Sequence, residues 1–319
     1  MASEPFQFLK TLGAGQYSII HLNPSLQPRS LIRNAVLAVL SKLAGKQVIV
    51  FWRGWDKQVE QRMVRPFQRL FRLIFNQADV HLVLAAEFRD NLRDMGISKP
   101  ILVSSTIADP PADITNLKKI EREEGLRLLF MSRLVKAKGI YQTVEAFKLL
   151  KAEFPSLRLD VAGDGLEMAC LKKRYFGLHG LTFHGHLEDR EKYELIAQSD
   201  AFVFPTSHGE GMPNCVLEAM AAGLPVITCP IGGLRDFFCN EVHGFFLKET
   251  DPLHIAETTA ILLRNEILRH DISENNKNYA RIHFSSSNIV TFLTKLYLAT
   301  FEKKFDSLQS EWFADAIIE

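Results

Sequence analysis

Four things are scarce in this 319-residue chain: cysteine, net charge, long apolar runs and any leader-like start. The four cysteines, at 170, 215, 229 and 239, show no paired metal-ligand spacing, which fits reduced thiols in a cytoplasmic protein. The opening MASEPFQFLKTLGAG has an acid near its N-terminus and no apolar core, so it does not read as a secretory signal. Nowhere does an uninterrupted apolar run approach about 18 residues, and no spanning helix is expected. The formal net charge is only +1, but it is unevenly distributed. Residues 1–112 hold 14 Lys and Arg against 8 Asp and Glu, whereas the remainder holds 24 against 29. With 47% hydrophobic and 24% charged residues the composition is globular, and the length suits two domains.

What is present centres on Phe204–Pro230, FPTSHGEGMPNCVLEAMAAGLPVITCP. It reads as strand, glycine-rich loop, short helix, glycine stop and strand. Pro213 suits a first helical turn, where its missing N–H costs nothing; Gly223 suits a left-handed cap, and Pro225 bars continuation. Glu218 is the one charge between Pro213 and Ala222, and burying it alone would be costly. The free N–H groups of Gly211, Met212 and Asn214 would face a ligand near a helix N-terminus. A helical run between Glu210 and Glu218 would separate them by about 12 Å at roughly 1.5 Å per residue, and the loop shortens that. The pair suits two ends of one nucleotide-sugar-sized ligand. Taken singly, each glutamate has an ordinary alternative, a helix cap for Glu210 and a structural Arg partner for Glu218.

EGMPNCVLEAMAAGLPVI resembles the E-x7-E signature of the family 4 glycosyltransferases, retaining enzymes of the GT-B fold, and the resemblance runs from about Leu126 onward. It implies an α/β protein of two Rossmann-like doubly wound domains, the first of them abbreviated or lacking an upstream segment. The expected layout is an acceptor-side domain over 1–112, a linker over 113–124 and a nucleotide-sugar-binding domain over 125–285. A helix over 286–303 crosses back to the first domain, and 304–319 form a tail.

Alternating strands and helices support a parallel sheet in each half. In the first half, strands are expected at 17–22, 47–52, 79–84 and 100–103, with helices at 29–44, 57–77 and 86–95. Gly13-Ala14-Gly15 has no strand before it and cannot be the family's acceptor loop. Arg53, followed by Gly54, stands where the family usually has histidine-glycine; an arginine can steady phosphate or sugar oxygens but cannot act as a base. Along 58–77, Arg62, Arg65, Arg69 and Arg72 recur at spacings of three and four beside Phe67, Leu70, Phe71, Ile74 and Phe75. Such a helix suits an anionic membrane surface, and equally a core-packed crossover with a solvated basic face. It does not suit nucleic acid, because its phenylalanines follow helix spacing. In the second half, strands are expected at 126–131, 157–162, 181–184, 201–204, 225–228 and 244–247, with helices starting near Gly139, Gly165, Arg190 and Pro213. Three closing helices are expected at 252–268, 273–282 and 286–303.

The resemblance assigns roles by position. Arg133 and Lys138 would neutralise the leaving diphosphate and Glu210, with them in the catalytic set, would address the donor sugar. Gly163, Gly165, His186, Gly211, Met212, Pro213, Asn214, Leu217 and Glu218 would bind the donor, Glu218 through the ribose diol. Arg53 and Gly54 would be the contact from the first domain. His184 and His186 at i, i+2 lack an evident third ligand, and no metal or other cofactor is expected beyond the nucleotide-sugar co-substrate. The implied reaction is a hexosyltransferase-type transfer, with retention, to a hydroxyl of a glycan, lipid-linked or polysaccharide precursor, by a cytoplasmic protein or one peripheral on the inner membrane face. The rival reading is a nucleotide-binding subunit without turnover that supports a partner. A glycoside hydrolase using Glu210 and Glu218 would explain neither the Arg–Lys pair nor the glycine turns.

Overall fold

The computed structural model describes residues 3–15, 17–62, 65–111 and 125–305. The expected linker over 113–124 and most of the expected tail over 304–319 therefore lie outside the described residues.

Two parallel sheets organise the chain. The first has four strands, β1 (Ile19–Leu22), β2 (Gln47–Trp52), β3 (Val80–Val83) and β4 (Ile101–Val103), in the order β1-β2-β3-β4. Its helices are α1 (Ser3–Ala14), α2 (Pro28–Leu43), α3 (Lys57–Gln61), α4 (Arg65–Phe75) and α5 (Ala86–Asp94). Successive right-handed crossovers that always move the same way across a sheet place their helices on one face. The period-two pattern of β2 serves both faces. Val48, Val50 and Trp52 pack with Ala38, Phe71 and Phe75 of α2 and α4, while Ile49 and Phe51 join the core of the other face.

The sequence pattern of 57–77 differs from the structure in one respect. The expected single helix is two: Asp56 caps α3 by accepting from the N–H groups of Gln58 and Val59, and α3 ends at Arg62. Arg62 therefore lies outside α4, the helix that carries Arg69 and Arg72. Helix α1 answers to no expected element.

The second sheet has six parallel strands, β5 (Arg127–Met131), β6 (Arg158–Ala162), β7 (Leu181–Gly185), β8 (Ala201–Phe204), β9 (Val226–Thr228) and β10 (Gly244–Phe246). Their order is β10-β9-β8-β5-β6-β7, so the winding reverses between β5 and β8. At such a reversal the two departing loops diverge and leave a crevice at the strand C-terminal ends. The helices are α6 (Ile140–Leu150), α7 (Met168–Arg174), α8 (Asp189–Ala197), α9 (Asn214–Ala221), α10 (Pro252–Arg264), α11 (Glu266–His283) and α12 (Ser286–Glu302), with 3₁₀ turns at Lys136–Lys138 and Gly232–Asp236.

Helix α9 begins one residue later than expected, with Pro213 as its N-cap rather than in its first turn. It ends in a Schellman arrangement: Leu224 N–H donates to Ala219 and Gly223 N–H to Met220, both at 2.8 Å. Gly223 takes the left-handed φ of +84° that this stop demands. From α11, the buried Asn276 donates to the carbonyls of Leu224 and His243 and so anchors that stop to the sheet.

Helix α12 lies on the first sheet. Its Thr300 carbonyl accepts from Gln47 at 2.7 Å, and the Tyr297 hydroxyl lies 2.8 Å from His21 Nδ1. The halves also meet beside the crevice. Asp236 accepts from the first helical N–H of α5, at Ala86 (2.7 Å), and Arg235 pairs with Glu87 (3.1 Å), which also holds Lys57. Thr106 donates to Asn214 at 2.7 Å, and Asp109 accepts from Ser286 N–H at 2.8 Å.

Candidate active site

The crevice predicted by the strand reversal is walled by the loop after β5 and the loop after β8, and hydrogen bonds lock these two together. The Ala137 carbonyl accepts from the N–H groups of Ser207 (2.9 Å) and His208 (3.2 Å). Gly139, at φ +81°, lies so close to Pro205 that a side chain would meet that residue's carbonyl and ring. A larger residue would push the two walls apart. The turns after β6 and β7 continue the rim: Leu134 N–H donates to Asp164 (2.9 Å), and Gly163 N–H to Gly185 (2.6 Å). Gly163 and Gly165 thus lie directly beside the loop that carries Arg133.

Lys138 is buried under this rim and pairs with Glu210. Its ammonium also lies 5.6 Å from the centre of the Phe204 ring. Burial, with repulsion from Arg133, pushes the Lys138 ammonium down to about 8. The Glu210 carboxylate favours the charged form. Arg133 is exposed and makes no ion pair among the described residues. The site therefore presents one free guanidinium and one shielded ammonium, close enough for each to feel the other.

His208 belongs to the same cluster, and no expected site motif includes it. Burial lowers its pKa first, then Lys138 and Arg133, while Asp56 from the first half opposes them. Its position immediately before Gly209-Glu210 was the available signal.

Glu218 projects from α9 one turn beyond Cys215. Burial pushes the Cys215 thiol up to about 12; Lys138 opposes that rise and Glu218 adds to it. Cys215 thereby links the Lys138–Glu210 pair to Glu218. The partner of Glu218 is Lys192 of α8, at 3.1 Å, which also holds Asp189 at 3.0 Å. Against burial, which disfavours its charge, Asp189 and Glu218 hold Lys192 above the ordinary lysine value. The structural-partner alternative for Glu218 is thus realised with a lysine in place of an arginine. Nothing in the local spacing of the sequence signals Lys192, which lies 26 residues away from Glu218.

The remaining candidates divide. Gly211 abuts the first half: a side chain there would lie 3.0 Å from the Arg53 carbonyl and from Leu84. Its own carbonyl accepts from Gly233 N–H at 2.9 Å. The Arg53–Gly54 turn therefore faces the glycine loop, with the Arg53 guanidinium 4.7 Å above the Phe51 ring and its pKa lowered by burial. Met212 and Pro213 are buried, and Asn214 reaches Thr106 across the interface.

Leu217 is fully buried in the core and its N–H is turned inward toward the Pro213 carbonyl, so it offers the crevice no side-chain surface. His186 is exposed, and His184 bonds Asp160 at 2.6 Å. No cluster of three or more His, Cys, Asp or Glu side chains capable of holding a metal occurs among the described residues.

Two parallel α/β sheets, joined by a returning C-terminal helix and cleft at the reversal point of the second, define a glycosyltransferase fold of the GT-B type. A structure of HepE from Anabaena in complex with UDP superposes with a TM-score of 0.75 at 18% identity, covering 92% of this chain and 82% of that one. The chain belongs to the family described as glycosyl transferases group 1, whose model matches residues 113–279. Among curated relatives, an uncharacterized glycosyltransferase of Methanocaldococcus jannaschii is 24% identical over 235 residues, 71% of this chain and 60% of its own length. The capsular polysaccharide biosynthesis glycosyltransferase CapM of Staphylococcus aureus is 31% identical over 172 residues, 53% of this chain and 44% of its own. The chain spans at most 60% of the length of either relative. Among the described residues no helix is long and apolar enough to cross a membrane.

Proposed function

We propose that this protein transfers a sugar from a nucleotide-diphosphate donor to a hydroxyl acceptor, with retention, without metal, and through the E-x7-E architecture of the family 4 enzymes. The observation that carries the reading is the buried Lys138–Glu210 pair, which joins the loops after β5 and β8 at the strand reversal with Arg133 beside it; Glu218 follows on α9, in contact with Lys192. A leaving nucleoside diphosphate gains negative charge as the glycosidic bond breaks. Cations already fixed where that charge develops stabilise the transition state without reorganising. Arg133 is free to receive the diphosphate, and Lys138 stands behind it in a drier position. Glu218 offers two carboxylate oxygens to the vicinal ribose hydroxyls, replacing its contact with Lys192. The N–H groups at the start of α9, with Glu210, would orient the sugar. The acceptor oxygen bonds to the anomeric carbon on the face the nucleotide leaves, and the departing phosphate oxygen takes the acceptor's proton.

The UDP complex of the Anabaena structure supports a uridine nucleotide as the first donor to test. Arg133→Ala and Lys138→Ala are each expected to lower donor turnover by about 100-fold or more, with unchanged folding for the exposed Arg133 and a lower melting temperature for Lys138, whose loss leaves Glu210 unpaired. Product anomeric configuration by NMR checks retention, and turnover in excess chelator checks metal independence. Wild-type rates in either variant would refute the diphosphate assignment.

A second reading, a nucleotide-binding subunit without turnover, is favoured by one observation: the Arg53 backbone abuts Gly211 while its guanidinium lies over the Phe51 ring, so this position offers no base. Calorimetric binding of UDP with no turnover of any UDP-sugar would select it.

A further inference from the structure

We propose that the outer faces of α2 and α4 form a docking surface for an anionic lipid bilayer. The crossovers place both helices side by side on the face of the first sheet opposite α12, so their outer sides form one flank of the molecule. On α2 the exposed stripe is Arg29, Ile32, Arg33, Val36 and Leu43; on α4 it is Phe67, Arg69, Leu70, Arg72 and Leu73. Ile32, Phe67 and Leu73 each expose about two thirds of their surface (69%, 67% and 68%). Large apolar side chains grouped on a water-facing flank mark a surface that meets something less polar than water.

The charge of the flank identifies what it meets. Residues 5–78 contain 11 Lys and Arg and only two acids, Asp56 and Glu60, and neither acid lies on α2 or α4. Arg29, Arg33, Arg69 and Arg72 make no ion pair among the described residues. Asp79 is held by Lys42, and at Asp94 on α5 it is the backbone carbonyl that meets α4, accepting from Gln68. Apolar side chains interleaved with unpaired arginines match the boundary between acyl chains and anionic headgroups. A second copy of the same face would bring these arginines against each other, which disfavours a homodimer. Phe67 is the only exposed aromatic on the two helices, too few for a base-stacking platform.

Both helices start at the C-terminal ends of their preceding strands, the end of the sheet that meets the crevice. Arg29, Ile32 and Phe67 therefore lie at the crevice end of the flank. If the transfer reading holds, an acceptor embedded in the bilayer enters from that rim; docking itself does not depend on it.

The test is co-sedimentation of the full chain with vesicles of phosphatidylcholine and phosphatidylglycerol in equal parts, and with phosphatidylcholine alone. Binding is expected to the first and not to the second, weakening as salt is added. The double variant Arg69→Glu/Arg72→Glu should lose about tenfold or more in vesicle affinity, since each basic residue near such a surface contributes about 1 kcal/mol. Leu70→Ser/Leu73→Ser should also weaken binding, and Arg29→Glu/Arg33→Glu provides an independent variant on α2. Unchanged thermal melts establish that the variants fold. Wild type that stays in the supernatant with the anionic vesicles, or charge-reversed variants that sediment like wild type, would overturn the proposal. So would an apolar-to-serine variant that dissociates a dimer while leaving vesicle binding intact. None of these readouts depends on sugar transfer.

Discussion

Lys138 couples burial to chemistry. Its ammonium is held down to about 8, so it loses its proton in the mildly alkaline range where exposed lysines stay charged. The charged form is the one that can meet a diphosphate. The donor kcat/KM, which reports the free enzyme, is therefore expected to fall as pH rises through about 8. A bound diphosphate pulls the same pKa upward, so the alkaline limb of kcat should lie at higher pH. Superimposable limbs would remove Lys138 from contact with the donor. Glu218 supplies a second expectation. Glu218→Gln gives up a charge-assisted contact of about 1.5–3 kcal/mol, so UDP binding should weaken by roughly tenfold to a hundredfold. The variant should also lose discrimination between UDP and its 2′-deoxy analogue, which calorimetry can read. Lys192 shows where reasoning from spacing stops. Motifs expose residues that are neighbours in sequence, whereas α8 delivers this ammonium to α9 only through the three-dimensional fold.

Among the elements, β3 carries a buried histidine with a clear consequence. His81 accepts from Trp52 Nε1 at 3.2 Å, and its other nitrogen lies 3.1 Å from the Phe75 carbonyl, an arrangement that needs the neutral ring. Burial lowers its pKa to about 4, and likewise that of His243, which accepts from Cys239 N–H. Unfolded histidine titrates near 6.5, so between about 6.5 and 4 the unfolded chain binds more protons. Stability is thus complete above about 6.5 and declines as pH falls toward 4, by up to about 3 kcal/mol for each ring at 1.36 kcal/mol per pH unit. Thermal melts from about pH 7 to about pH 5 should fall in midpoint, and His81→Gln should flatten the slope. Helix α9 gives a sharper case. Gly223→Ala would strain a φ of +84° and bring Cβ within 2.7 Å of Ser273 Oγ, with Lys277 also in the way. A loss of about 1 kcal/mol or more is expected, readable as a lower denaturant midpoint.

At the level of the whole molecule, the two sheets differ in how plainly the sequence announces them. Buried parallel strands write themselves as short apolar runs, and every strand of both sheets falls within a residue or two of its apolar run. Helix α1 is the least legible element because it lies ahead of the first strand, outside the alternation of strands and helices that marks the others. The break between α3 and α4 was hidden because the basic spacing of 62, 65, 69 and 72 runs through it, while the Asp56 cap that sets off α3 is a local backbone event. The Arg133–Lys138 and Glu210–Glu218 strings stand out in the sequence because each pair lies within one short segment that follows a single strand, β5 or β8. The ties between halves, such as Asp236 to Ala86 and Thr106 to Asn214, do not, because they join residues more than a hundred positions apart. Asp236→Ala removes one such tie together with an N-terminal cap, and should lower stability by about 1 kcal/mol.

The return of α12 to the first sheet has a consequence for biosynthesis. Ile49 and Phe51 are covered from below by Phe292, Leu296 and Ala299, which the ribosome makes only after the entire second sheet. At about 5–20 residues per second, the nascent first half waits roughly ten to forty seconds for its floor. Through that interval an apolar sheet face stands open to misassociation, and a chaperone that shields such surfaces during translation would raise the yield of this protein more than its equilibrium stability suggests.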